Sequence, residues 1–360
     1  MTKCTQLWIT TNSPGELASW VTPIVQVVKA EFPDVEVVVA LVPCQYSSGH
    51  ELEIATRISG VTRAYSPSQT LNYLLKLKWG GRRGNGAVLY LGGDPMYAKW
   101  LGLTHRWPVI AYTEHGYSLG FGIRTTLRKS VIGDLMASRI ALRQPITSTK
   151  DIDIVFFTGS RPAHFDVFAP FCVEVARHLL AERPGIKIAI QRSLFIDDER
   201  WTHFCSTQPL SGIDIFTGSS LESLERSRLM VSLPGTSTAE AMYMQTPMVV
   251  LVPLNRPELI QLDGLVGIIG MIPWVGTQLK KAVIRVMIAR RRLVALPNIM
   301  AQREVIPEIV GVLEPIPVAR QLLDVLDSPV QLAEQRVMFD QFPATTVAAT
   351  AIVEELRRWI

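Results

Sequence analysis

The sequence predicts an α/β protein of two Rossmann-like domains. Three observations lead there. The chain has 360 residues, which suits two domains of about 150–200 residues better than one. Short β-rich runs alternate with helix-length amphipathic segments, the pattern of right-handed βαβ units. The β-rich runs are near-continuously apolar rather than alternating, as parallel strands covered on both faces require.

The strand candidates in the first half are Leu7–Thr10, Val35–Leu41, Ala87–Leu91 and Val109–Tyr112, with helices predicted over Ala18–Ala30, Leu52–Ile58 and Ser68–Leu77. The polar, proline-containing stretch Arg143–Asp151 reads as the linker. A second wound sheet follows, with strands over Ile154–Phe157, Lys187–Ile190, Ile213–Phe216, Leu229–Leu233 and Met248–Val252. Its helices fit Phe165–Leu180, Asp197–Cys205 and Ser237–Gln245, and from Ala301 onward the chain reads as helical, ending with Thr346–Ile360. The expected division is 1–147, 148–340 and a C-terminal helix over 341–360 that packs back on the first domain. Gly80–Gly86 reads as a flexible loop, with a phosphate cradle as the less favoured reading.

Composition excludes several classes. Hydrophobic residues make up 48% and charged residues 19%, so a large core is available and disorder is not expected. A net charge of +4 without a dense Lys/Arg run argues against nucleic acid as a partner. Cys4, Cys44, Cys172 and Cys205 are scattered, so neither a zinc site nor a disulfide framework is indicated, and a reducing compartment is the simpler setting. The N-terminus lacks the apolar core of a signal peptide, and no uncharged apolar stretch reaches the roughly 18 residues of a membrane span. Mean hydropathy, +0.22, is high for a soluble enzyme and fits well-buried sheets or a surface that touches lipid.

Four strand-to-helix junctions carry small or polar residues, and such junctions are where α/β proteins place ligands. In Thr11–Ser19, Pro14 and Gly15 shape a tight turn and Glu16 and Ser19 follow it; the site reading competes with a capped turn whose Glu16 favours the helix dipole. In Gly92-Gly93-Asp94-Pro95, Asp94 is either a general base or the N-cap of a helix that starts with proline. In Thr158-Gly159-Ser160-Arg161, the guanidinium of Arg161 suits a diphosphate, against an ordinary surface arginine. In Leu233–Met242, Gly235, Thr236 and Ser237 open a helix whose N–H groups suit a phosphate, and Glu240 is placed to accept from ribose hydroxyls; the alternative is a capping arrangement. The GxGxxG, GxxxxGK[ST], HExxH and GxSxG motifs are all missing. Of the six histidines only His115, in Thr113-Glu114-His115-Gly116-Tyr117, stands at a strand end among polar residues, as a secondary candidate for catalysis.

These segments resemble the lipid-A-disaccharide synthase family of glycosyltransferases. Pro297–Glu308 is similar to its late signature, with Pro-Asn, Ala, Arg-Glu and a further Glu at this spacing. Gly235-Thr236 with Glu240-Ala241-Met242 and Pro247–Val250 resembles its donor-site helix and next strand. Gly159-Ser160-Arg161 resembles its Pro-Gly-Ser-Arg, and Gly15-Glu16 with Ser19 its N-terminal motif. Asp94 sits where the family carries an Asp after a strand. Trp20-Val21 and Thr113–Ser118 depart from the family pattern, both in the N-terminal half.

The resemblance implies the glycosyltransferase-B arrangement of two domains facing across a cleft, with the acceptor on the first and a UDP-sugar on the second. It implies inverting transfer of an acylated glucosamine to a lipid-linked sugar, with no cofactor and no metal. Asp94 would be the general base. Arg161, Ser160, Gly235 and Thr236 would hold the departing UDP, Glu240 the ribose, and Asn298, Arg303 and Glu304 would line the cleft. A sugar-nucleotide epimerase on the same fold and a non-catalytic glycolipid-binding relative are the rival readings, and a homo-oligomer is left open.

One stretch points to the membrane on composition alone. Leu265–Gly276 carries no charge and contains Ile268, Ile269 and Trp274; the cations Lys280, Lys281 and Arg285 follow. It is too short to span a bilayer, but suits an element lying on an anionic leaflet. The expected location is cytoplasmic, peripheral on the inner face of the cytoplasmic membrane. A buried loop followed by an amphipathic helix with a wet basic face is the alternative.

Overall fold

The computed structural model describes residues 5–43, 49–76, 84–114, 119–145, 149–256, 259 and 293–360. The chain forms two compact units, one of Met1–Gln144 with Ala344–Ile360 and one of Pro145–Pro343.

Unit 1 runs β1 (Gln6–Thr11), α1 (Pro14–Glu16), a π turn (Leu17–Val21), α2 (Thr22–Glu31), β2 (Glu36–Leu41), α3 (Glu51–Arg57), β3 (Arg63–Tyr65), α4 (Pro67–Lys76), β4 (Gly86–Tyr90), α5 (Pro95–His105), β5 (Val109–Thr113), β6 (Thr125–Arg128), α6 (Lys129–Ile132) and α7 (Leu135–Ala141). Its sheet has the order β3-β2-β1-β4-β5-β6, and every pairing is parallel. Leu7, Ile9, Val37, Val39, Ala87 and Leu89 are all fully buried, which explains the unbroken apolar runs. The last helix, Val347–Leu356, belongs to this unit: Ile352, Val353 and Leu356 are buried, and Ala349 donates its N–H to Ser138 Oγ at 3.2 Å.

Unit 2 runs β7 (Ile152–Phe157), α8 (Pro162–Glu182), β8 (Ile188–Gln191), α9 (Asp198–Thr207), β9 (Ile213–Phe216), α10 (Ser220–Arg226), β10 (Ser227–Ser232), α11 (Thr236–Tyr243), β11 (Met248–Pro253), α12 (Leu296–Ala301), β12 (Glu308–Gly311), α13 (Pro315–Leu326) and α14 (Pro329–Phe339). The parallel order β12-β11-β10-β7-β8-β9 repeats that of unit 1 when each unit's strands are counted from its own first. The long helix α8 buries Phe165, Phe168, Cys172, Val173 and Leu179, and packs beside α13.

Both units are therefore doubly wound Rossmann-like sheets, as the apolar runs predict. Two corrections concern edges. The region after Ala301 is not all helix, because Glu308–Gly311 forms β12 and pairs in parallel with β11. Arg63–Tyr65 and Thr125–Arg128 form edge strands β3 and β6 that carry no apolar run. An edge strand is paired on one side only, and these strands are only partly buried, so the apolar signature of a central strand is not required of them.

Candidate functional site

In a doubly wound sheet, ligands meet the carboxyl ends of the strands where the strand order reverses. That point lies between β1 and β4 in unit 1, and between β7 and β10 in unit 2.

At the unit 1 point, Ser13 caps α1, its Oγ accepting from Glu16 N at 3.3 Å, with Pro14 at the first helical position. The chain then widens into the π turn, a rare local geometry found disproportionately at functional sites. Glu16 turns back onto the strand end: its Oε2 accepts from Thr11 Oγ1 and from Asn12 N, each at 3.2 Å. Across from it, Gly92 has no room for a side chain, because a Cβ there would lie 1.9 Å from Glu16 Oε2. The carboxylate is thus wedged between the ends of the two strands that flank the reversal. Burial pushes its pKa above the ordinary value, the Asn12 and Ser13 N–H groups and the Thr11 hydroxyl pull it back in part, and the negative charge of Glu114 adds to the rise. Gly15 is part-exposed and Ser19 is buried within the π turn.

Asp94 is the N-cap of α5. It is exposed, and its Oδ1 accepts from Met96 N at 2.8 Å. Gly93 ahead of it adopts a positive φ of 82°, a conformation glycine enters without steric cost. His115 lies outside the described residues, as do residues 80–83 of the glycine-rich loop and the whole of Leu265–Gly276 with Lys280, Lys281 and Arg285.

A charged trio that sequence reasoning missed closes the far side of this rim. Lys129 Nζ is 2.8 Å from Glu114 Oε1 and 2.7 Å from Asp134 Oδ2. Burial works against the ammonium, but Asp134 and Glu114 together outweigh it and hold its pKa above the usual lysine value. Asp134 also caps α7 through Met136 N at 2.9 Å. Beside it the Tyr112 hydroxyl donates to Gly133 O at 3.1 Å and accepts from Leu135 N at 3.3 Å. Burial and the Asp134 charge raise the Tyr112 pKa, so it stays a neutral phenol. Glu114 ends β5, Lys129 opens α6 after an edge strand, and Asp134 follows a glycine. No spacing rule links them; only the pairing of β5 with β6 does.

At the unit 2 point, β7 and β10 are direct neighbours, with Phe157 beside Ser232. Beyond β7, Thr158 is buried and Gly159 has φ of 95°. Ser160 and Arg161 then lead into α8 at half-buried positions, with Pro162 at the first helical turn and Arg161 at the N-cap. Beyond β10, Gly235 is the N-cap of α11 in extended conformation, and a Cβ placed on it would meet none of the described residues within 4 Å. Among the described residues nothing crowds the front of α11, with Thr236 exposed and Ser237 half-buried. A helix start leaves its first N–H groups without intrahelical partners, which suits an anion. Glu240 is buried one turn in. Thr238 Oγ1 donates to Gly235 O at 2.7 Å and fixes the turn.

The Pro297–Glu308 segment behaves differently from the expectation that it presents side chains to a ligand. Asn298 is fully buried: its Oδ1 accepts from Val305 N at 2.7 Å and Ile306 N at 2.9 Å, while Nδ2 donates to Ile306 O at 3.0 Å and Glu308 Oε1 at 2.8 Å. Glu308 in turn accepts from Ala295 N at 2.9 Å. Every hydrogen-bonding capacity of the Asn298 amide is spent on shaping the loop, because a buried amide must satisfy both ends locally. Arg303 and Glu304 are exposed at its tip, with Arg303 Nη2 3.2 Å from Met338 Sδ. The helix α12 that carries Asn298 packs against α11.

Among the described residues, no three His, Cys, Asp or Glu side chains gather as metal ligands, and no helix is long and apolar enough to cross a membrane.

No family model matches the chain. It is 29% identical over 225 residues to a lipid-A-disaccharide synthase of Myxococcus xanthus, covering 60% of this chain and 52% of that one. It is 25% identical over 255 residues to a lipid-A-disaccharide synthase of Pseudomonas paraeruginosa, covering 69% of this chain and 60% of that one. The chain thus spans somewhat over half the length of these relatives. Among solved structures, the UDP-GlcNAc 2-epimerase of Neisseria meningitidis bound to UDP-GlcNAc matches with a TM-score of 0.57 at 11% identity, covering 98% of this chain and 100% of that one. With its two six-stranded parallel sheets, the chain has the glycosyltransferase-B fold class, and this epimerase shares that fold.

Proposed function

We propose that the protein is a UDP-sugar-dependent glycosyltransferase that moves an acylated glucosamine to a lipid-linked sugar by inverting single displacement. The observation that carries this reading is the unit 2 reversal point. There an arginine-bearing turn ending β7 and a glycine-capped helix start after β10 stand on adjacent strands. In this reading Ser160, Arg161, Gly235, Thr236 and Ser237 bind the diphosphate and stabilise it as it departs, and stabilising developing charge on a leaving group is a large catalytic term. Glu240 holds the ribose. Unit 1 receives the acceptor, whose hydroxyl gives its proton to a carboxylate on the rim. Asn298 positions α11 from behind. Likeness to the two synthases supports the transferase over the epimerase; the fold alone accommodates both.

Two measurements test this. Calorimetry with UDP should show weaker binding in Arg161→Ala and Glu240→Gln than in the wild type, and unchanged affinity in both would mean the donor site is elsewhere. UDP release from an acylated UDP-glucosamine should require a lipid-linked sugar acceptor. Conversion of the UDP-sugar without acceptor would identify an epimerase instead, and binding without turnover a non-catalytic protein.

The apolar stretch containing Ile268, Ile269 and Trp274, with Lys280, Lys281 and Arg285 after it, supports a further part of the proposal: the enzyme works on the inner face of the cytoplasmic membrane, seated there by this element.

A further inference from the structure

We infer that Glu16, not Asp94, takes the proton of the acceptor hydroxyl. This rests on the glycosyltransferase reading and adds to it the identity of the base. In the step, the hydroxyl proton passes to a Glu16 carboxylate oxygen as the acceptor oxygen bonds the anomeric carbon. The bond from that carbon to the UDP oxygen breaks, and UDP leaves with the electron pair.

Three features together support Glu16, and the third separates it from Asp94. The first is its place. The carboxylate is held by the end of β1, through Thr11 and Asn12, and abuts Gly92 just past β4. Those are the two strands that flank the order reversal of unit 1, where a doubly wound sheet presents ligands. The second is its preorganisation. Both hydrogen bonds engage Oε2, which fixes the carboxylate and leaves Oε1 outside that pair of contacts. A fixed orientation is what a proton acceptor needs in order to act without rearrangement. The third is its surroundings. Glu16 is part-buried and faces the negative charge of Glu114, and both raise its proton affinity above that of an ordinary glutamate, the direction a general base needs. Among the described residues, Lys129 and Asp134 are the charged groups joined to Glu114, with Asp94 beyond Gly92, and Lys129 holds Glu114 in place at 2.8 Å.

Asp94 follows the same strand end and is also held by a backbone N–H, but it lacks the third feature. It is exposed, its Oδ1 is committed to the cap of α5 at 2.8 Å from Met96 N, and water competes for the rest of the carboxylate.

The test is transfer from an acylated UDP-glucosamine to an acylated glucosamine acceptor by the intact chain, run beside an infrared titration of the carboxyl groups without ligand. Glu16→Gln keeps the side-chain volume and an oxygen for Thr11 and Asn12. It should lower single-turnover transfer by about 10²–10⁴-fold, the usual loss for a missing general base, with UDP affinity unchanged. Asp94→Asn still caps α5 and should slow transfer by less than about tenfold. Glu114→Gln removes the like charge, so the acid limb of the pH–rate profile should move to lower pH. In the titration, a carboxyl band that protonates above the ordinary glutamate range should be present in the wild type and missing from Glu16→Gln.

No transfer by the wild type would overturn the glycosyltransferase reading and this assignment with it. If the wild type transfers, near-normal transfer by Glu16→Gln, or a larger loss in Asp94→Asn, overturns the assignment alone. A wild-type titration without the raised band does so without reference to any substrate.

Discussion

Replacing Gly92 by alanine tests whether the Glu16 carboxylate is wedged where the contacts place it. The added Cβ would fall 1.9 Å from Oε2, 2.3 Å from Cδ and 2.6 Å from Oε1 of Glu16. All three lie well inside van der Waals contact, and Gly92 is not among the glycines with positive φ, so the conflict is with Glu16 and not with the backbone. The carboxylate is the far end of a flexible side chain and can swing away. In doing so it gives up the hydrogen bonds from Thr11 and Asn12, each worth about 0.5–1.5 kcal/mol net. It also recovers part of its hydration, which offsets some of that loss. The expected destabilisation is therefore roughly 1–2 kcal/mol, in the lower part of the typical 1–3 kcal/mol of overpacking a rigid core. Denaturant midpoints would measure it. A double-mutant cycle makes it specific: in a Glu16→Ala background nothing remains to clash, so Gly92→Ala should cost close to nothing, leaving a coupling energy of about 1 kcal/mol or more. The infrared carboxyl titration should return to the ordinary range in Gly92→Ala. If Gly92→Ala costs the same with and without the Glu16 carboxylate, or leaves its titration unmoved, the wedged geometry is wrong.

Asn298→Ala removes four hydrogen bonds made by a fully buried amide and should destabilise the protein by about 2–4 kcal/mol, read by chemical denaturation; weaker UDP binding should accompany it, because α12 packs against α11. Lys150 donates to Ser227 O at 2.6 Å and Glu225 O at 3.1 Å, and burial together with the nearby Arg336 lowers its pKa from 10.5 to about 8. Between those values the unfolded chain binds more protons than the folded one, so this group's contribution to stability rises with pH across the window, and Lys150→Met should flatten that rise in unfolding midpoints. Co-sedimentation with anionic liposomes should fall when Ile268, Ile269 and Trp274 become serine and when Lys280, Lys281 and Arg285 lose their charge; vesicle binding equal to wild type in both variants would remove this region as the docking surface.

The sequence by itself determined the fold class and the location of the junctions. A parallel strand buried on both faces must be apolar throughout, so Leu7–Thr10, Val35–Leu41, Ile154–Phe157 and Met248–Val252 could be read locally, and each lies within or overlaps an observed strand. The glycine and hydroxyl residues that end those strands were equally legible, since turn chemistry is local. Three edge strands were not, because Arg63–Tyr65, Thr125–Arg128 and Glu308–Gly311 owe their conformation to a neighbour and not to their own pattern, whereas the edge strand Ile213–Phe216 alternates apolar residues and could be read. The same limit applies to side-chain roles. The spacing of Asn298, Arg303 and Glu304 suggested ligand contacts, but burial spends Asn298 on its own loop. Only the tertiary structure decided that Glu16 meets Gly92 from 76 residues away in the chain (92 minus 16), or that Lys129 joins Glu114 to Asp134. A proton affinity depends on burial and on charges brought near by folding, and neither is written in the residues that flank a carboxylate.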